Sequence, residues 1–143
     1  MSQGLRIVGI DRLERRIANL ERRTLRAATD ACVAGITHIR DVMQNQFLNG
    51  SGVIGRDSGK LQDNWNIRAE TAKAILWTDT VYAHAHEYGF HRVQSIYSKK
   101  HRRWFIRRQN IKAKRFLRGA IKRSRSKLPE IMGETFRRSL FGF

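Results

Sequence analysis

The chain has 143 residues but one cysteine, one proline and no acidic residue between Glu87 and Glu130. A single cysteine, Cys32, can neither close an internal disulfide nor build a cysteine-cluster zinc site. A single proline, Pro129, excludes a proline-rich disordered chain. No stretch approaches the roughly 18 consecutive apolar residues of a membrane helix, so no membrane partner is expected. Met1 to Arg6 lacks the charged start and apolar run of a secretory leader. The expectation is a soluble protein made in a reducing cytoplasm. The length fits one domain of ordinary size spanning residues 1–143.

Carboxylates are few: 12 Asp and Glu face 29 Lys and Arg, for a formal net charge of +17. The excess is not spread evenly. Residues 1–87 hold 12 Lys/Arg and 10 Asp/Glu, whereas residues 88–143 hold 17 and 2. A one-signed block of this kind marks an interaction surface or arm and predicts an anionic neighbour.

Catalytic and metal chemistry find little support. No nucleophile elbow or Ser–His–Asp arrangement is present, and no carboxylates pair for acid–base work. Cys32 falls among Ala and Val in a helical pattern and reads as a small core residue. His84, His86, Glu87 and His91 are close in sequence but match no strong ligand spacing; they read as packed or surface imidazoles. Gly59-Lys60-Leu61 departs from the Gly-Lys-Ser/Thr ending of a phosphate-binding loop. No enzyme activity and no cofactor are expected.

The elements follow from periodicity. Asp11 and Glu14 have capping-box spacing. Leu13, Ile17, Leu20, Thr24, Ala27, Ala31, Ala34, Ile39, Val42 and Met43 then recur at three and four residues, which predicts one amphipathic helix over 12–47. Its middle is rich in small residues, and its outer positions carry Arg12, Arg15, Arg16, Glu21, Arg22, Arg23 and Arg26. A Gly-rich loop follows over 48–60. Trp65, Ile67 and Ala69, then Ala74 to Trp77, read as two short strands. Residues 61–110 are expected to hold strands and a basic loop whose tip is Ser98 to Arg103. Phe116, Leu117, Ala120, Ile121, Leu128, Ile131 and Met132 predict a C-terminal helix over 112–140, with a kink or restart at Pro129. The fold class is α+β: a long N-terminal helix, a small antiparallel sheet with an extended basic hairpin, and a C-terminal helix.

The candidate contact residues are Lys99, Lys100, Arg102, Arg103, Arg107, Arg108, Lys112, Lys114 and Arg115. They interleave with Tyr97, His101, Trp104 and Phe105. Cations of this kind neutralise phosphates whatever the base sequence. The aromatic rings could stack on open bases or anchor the hairpin on the core, and anchoring is the simpler role. Nothing resembles a helix-turn-helix, an RNP motif or a zinc finger, so base-specific reading is not expected.

Three stretches occur in a telling order. They are Asp57-Ser58-Gly59-Lys60-Leu61-Gln62-Asp63-Asn64-Trp65, Val81-Tyr82-Ala83-His84-Ala85-His86-Glu87-Tyr88-Gly89 and Arg115-Phe116-Leu117-Arg118-Gly119-Ala120. In these the chain resembles the tail-completion or head–tail joining proteins of long-tailed bacteriophages, also called minor tail or neck proteins. Gly119 stands where that family commonly has proline. The resemblance makes Gly59, Leu61, Tyr82, Glu87, Tyr88, Gly89, Phe116 and Leu117 structural positions. Tyr82, Tyr88 and Phe116 would be anchors.

The resemblance further implies a homo-oligomeric ring, a hexamer, at the top of the tail in the virion, reached from the host cytoplasm during assembly. Its partners would be neck or connector proteins and the tail tube or tail terminator. The Ala-rich helix face and the long basic loop would supply the ring contacts, since closed rings need heterologous interfaces. Contact with the phage genomic DNA would be non-specific. The competing expectation is a sequence-independent nucleic-acid-binding accessory protein.

Overall fold

A computed structural model of the chain describes residues 9–48 and 60–142. Gly59 and nearly all of the expected Gly-rich loop lie outside those residues.

The first helix, α1, spans Ile10–Met43 and passes into a single π-helical turn, Gln44–Leu48. Thirty-four residues make a rod about 50 Å long. It begins two residues earlier than the capping-box spacing suggests. Gly9, at φ 110°, is the N-cap, and no side chain caps the helix. Asp11 therefore sits in the first turn, where its charge still suits the positive end of the helix dipole. The rest of the stripe has its expected period, with Ala27, Ala31, Gly35 and Met43 buried.

Strands β1 (Asn66–Glu70) and β2 (Lys73–Trp77) pair antiparallel, with Asn66 opposite Trp77 and Glu70 opposite Lys73. Their turn rests on the middle of α1. The Ala72 N–H donates to Thr29 Oγ1 at 2.9 Å, and Cys32 Sγ donates to the Ala72 carbonyl at 3.5 Å. Cys32 is thus a half-buried packing residue.

The 61–110 region holds two short helices as well as strands. They are α2 (Lys60–Asp63) and α3 (Ala83–Tyr88). The long hairpin then follows as β3 (Phe90–Ser98) and β4 (Arg103–Ile111), paired only with each other. There are accordingly two separate two-stranded sheets. The C-terminal region is two helices, α4 (Phe116–Ser124) and α5 (Leu128–Phe141), and starts later than residue 112. Pro129 lies in the first turn of α5, where its missing N–H breaks no helical hydrogen bond. The restart expected from the sequence is the one observed.

Helix α5 runs antiparallel along α1. A Cβ placed on Gly35 would meet the Met132 side chain at 3.0 Å. Ser139 Oγ donates to Asp30 Oδ2 at 2.5 Å, and Arg23 Nη2 donates to the Leu140 carbonyl at 2.6 Å. The small residues of α1 therefore serve an internal contact. This corrects the expectation that the Ala-rich face meets a neighbouring copy, because α5 already occupies it.

The core gathers at the other end of α1. Met43, Phe47 and Leu48 pack with Leu61, Ala83, Phe116 and Ala120, flanked by Trp65, Leu76, Tyr82 and Leu117. The Trp65 ring meets Phe116 edge-on at 5.9 Å, and its Nε1 donates to the Leu61 carbonyl at 2.6 Å. Gly119 lets α4 close on this cluster: a Cβ there would lie 2.6 Å from the Phe47 ring. A proline ring at this position would meet the same obstacle.

Candidate assembly and binding surface

The family-like stretches meet in space. Leu61, Tyr82, Phe116 and Leu117 all border the one core cluster. Glu87 is buried, and its carboxylate accepts from the backbone N–H of Leu117 at 2.9 Å and of Arg118 at 3.2 Å. These are orphan donors in the first turn of α4, which has no side-chain cap of its own. A distant carboxylate thus does the work of an N-cap and sits at the positive end of the helix dipole. The backbone reinforces the joint: Lys114 N–H donates to the His86 carbonyl at 2.7 Å, and Arg115 N–H to the Glu87 carbonyl at 3.3 Å.

Gly89 ends α3 at φ +83° and opens the arm. A Cβ there would lie 3.0 Å from the Ala113 backbone nitrogen and 3.1 Å from the Ile111 carbonyl oxygen. Both the dihedral and the crowding demand glycine. Tyr82 is half-buried, and Phe116 is buried, as anchors should be. Tyr88 is not an anchor. Its side chain is 56% exposed, with the Arg118 guanidinium 5.3 Å from its ring centre.

From this joint the β3–β4 hairpin projects as an arm. Nine residues per strand give it a length of about 30 Å. Its strands hold each other and make no comparable contact with another element. Lys99, Lys100, Arg102 and Arg103 form the tip, and Arg102 takes a left-handed conformation to close the turn. Arg107 and Arg108 lie midway, on opposite faces because successive residues alternate. Lys112, Lys114 and Arg115 sit at the base. All nine are exposed. The structure therefore divides the expected set into a tip group, a middle pair and a base group, spread over the arm's length.

Among the described residues these cations have no carboxylate partner. The ion pairs among the described residues are Arg40–Asp41, Arg68–Glu70 and Lys73–Glu70, all outside the basic half. Arg103 instead stacks over the Phe105 ring at 4.6 Å.

The anchoring role expected for Trp104 and Phe105 is overturned. Trp104 is 69% exposed and stacks on its cross-strand neighbour Tyr97, with ring centres 5.4 Å apart. Phe105 is also exposed and meets His101 and Arg103 of the tip. Neither belongs to the core cluster. Alternation along the strands puts Val93, Tyr97, Trp104 and Ile106 on one face, all of them exposed. Val93, Ser95 and Tyr97, and later Trp104 and Ile106, already alternate in the sequence, and the strand pairing shows that the two runs share a face.

Among the described residues, no three or more His, Cys, Asp or Glu side chains are placed to hold a metal ion. No helix among them is long and apolar enough to cross a membrane. Known protein families, curated proteins and solved structures yield no match to the chain.

Proposed function

We propose that this chain is a structural virion protein of a tailed bacteriophage. In this reading it forms a ring of six copies at the top of the tail. The ring completes the tail and joins it to the head around the DNA channel. It is a building element without catalysis, and its neighbours are the neck or connector above and the tail tube or terminator below.

One observation carries the reading: a 22-residue arm, Phe90 to Ile111, with apolar and cationic side chains exposed on both faces. A lone two-stranded hairpin is marginally stable in water. Exposed Trp and Ile on such an arm make sense when a neighbouring subunit covers them. The ordered stretches that carry the family resemblance add support, since they build the joint from which the arm leaves. Six copies would concentrate the positive charge around a passage for DNA of any sequence.

The test is electron microscopy and protein analysis of purified particles from the phage genome that encodes the chain. The expected result is density for a ring at the head–tail junction and several copies per particle. Absence of the chain from infectious particles overturns the reading.

A second reading is a free, sequence-independent nucleic-acid-binding protein. The unpaired cations beside exposed Tyr97 and Trp104 favour it. Salt-titrated binding separates the two: a tight complex between monomer and nucleic acid, with no place in particles, selects the second.

A further inference from the structure

The N-terminal part of α1 runs past its partner helix. Arg23 lies beside Leu140, next to the last residue of α5, so residues 10–22 extend beyond it, and no other helix or strand among the described residues is laid along them. Yet this stretch carries large apolar residues. Ile10, Leu13, Ile17 and Leu20 are 43–58% exposed. They continue the same three-and-four spacing that further along holds the buried Ala27 and Ala31. Small residues stand where α5 approaches closely, and large ones stand where no described element covers them.

At about 100° per residue, this extension has three distinct sides. Ile10, Leu13, Ile17 and Leu20 form the apolar one. Glu14 and Glu21 flank it on one edge, while Asp11 lies farther round, beside Arg15 and Arg22. Arg12, Arg15, Arg16, Arg22, Arg23 and Arg26 occupy the rest. An apolar stripe with carboxylates along one edge suits a partner that is apolar and cationic at once.

The arm has that chemistry. Its exposed face holds Val93, Tyr97, Trp104 and Ile106, with Arg108 directly opposite Val93 and the lysines of the tip beyond Tyr97. It carries no carboxylate. We propose that the arm of one copy docks on the apolar and acidic strip of α1 in a second copy. The aromatic pair covers Leu13 and Ile17, while Arg108 and the tip cations meet Glu14 and Glu21.

The contact is between molecules for a geometric reason. The arm leaves from the end of α1 near Met43 and Phe47. Ile17 lies about 40 Å away along the helix, beyond the tip of an arm about 30 Å long. Two different patches joined in this way make a heterologous interface, which closes a ring or runs on as a filament. The proposal rests on the assembly reading only in taking a second copy as the partner.

The test uses the full chain in three forms, followed by light scattering after size-exclusion chromatography. One variant carries Ile17→Glu and Leu20→Glu, which spoil the strip and keep the arm. The other carries Trp104→Ser and Ile106→Ser, which spoil the arm and keep the strip. All four positions are exposed, so circular dichroism should show both variants folded. The wild type should oligomerise, and each variant alone should be monomeric. Mixed in equal amounts, the variants should form one-to-one pairs and nothing larger, because each pair has one intact contact and leaves only a spoiled strip and a spoiled arm free. As a milder pair of probes, Trp104→Ala should weaken wild-type association about thirty-fold, as for a central aromatic hot spot. Glu14→Lys with Glu21→Lys should weaken it and be partly rescued by Arg108→Glu.

A mixture that stays monomeric, or a variant that oligomerises like wild type, overturns the proposal. So does a wild type that is monomeric throughout, or one whose arm is protected only by added DNA. None of these results removes the chain from the virion. The ring reading fails separately, on its absence from particles.

Discussion

The body of the molecule and its arm are built on opposite principles. In the body, every close approach has a residue chosen for it. Gly35 admits Met132, Gly119 admits Phe47, and buried Glu87 answers two orphan N–H groups of α4. In the arm, large side chains face water on both sides and cations lack carboxylates. The N-terminal third of α1 belongs with the arm in this respect. Local packing accounts for these contacts of the body, and nothing comparable accounts for the arm. What the arm and the α1 extension are for has to be sought outside the monomer.

Substitutions can break that division, and their expected effects fall in order. Phe116→Ala should cost about 3–5 kcal/mol, because it opens a cavity beside Trp65 and Phe47; urea unfolding measures it. Glu87→Ala should cost about 1–3 kcal/mol by leaving the Leu117 and Arg118 N–H groups without their acceptor. Its amides should also show faster hydrogen exchange at the start of α4. Gly119→Ala should cost a similar 1–3 kcal/mol, roughly, by overpacking against Phe47, and a Phe47→Leu background should relieve part of it. Trp104→Ala should move the unfolding midpoint of the monomer by less than about 0.5 kcal/mol. A large loss there would mean that the arm is part of the body's own stability. Smallest of all in stability should be reversal of Lys99, Lys100, Arg102 and Arg103 to Glu. That variant should fold as well as wild type but fail in particle assembly or DNA passage. Normal infectious yield would show that the tip does not matter.

The elements with local signatures were legible. The long apolar stripe of α1, the alternation of β1, β2 and the arm, and the restart at Pro129 each need only a few neighbouring residues to be recognised. Two features had misleading local signals. Asp11 and Glu14 look like a cap, but Gly9 starts the helix two residues earlier, and no side chain supplies the cap. The alternating His and Ala of 83–88 gave no helical stripe. That short helix is held from outside, through the carbonyls of His86 and Glu87.

The site was legible in its charge and not in its geometry. The nine basic residues stand out in the sequence, but only strand pairing separates tip from base. Nothing local distinguishes a tryptophan that anchors a hairpin from one that is left exposed. Trp104 shows the difference: its neighbours in sequence fit either role, and the answer depends on whether the body lies beside it. Glu87 and Leu117 are 30 residues apart, so no spacing rule links them. Only the family resemblance grouped their stretches. The face of α1 that is rich in alanine was misjudged for the same reason, since α5 returns to it from the far end of the chain.

The central claim is that the arm finds its partner in an assembled particle. Lysine cross-linking of purified phage particles, read by mass spectrometry, tests this most directly. The account predicts links from Lys99 or Lys100 to a second copy of the chain or to an adjoining virion subunit. A chain missing from the particles, or an arm linked only to the body of its own copy, contradicts it.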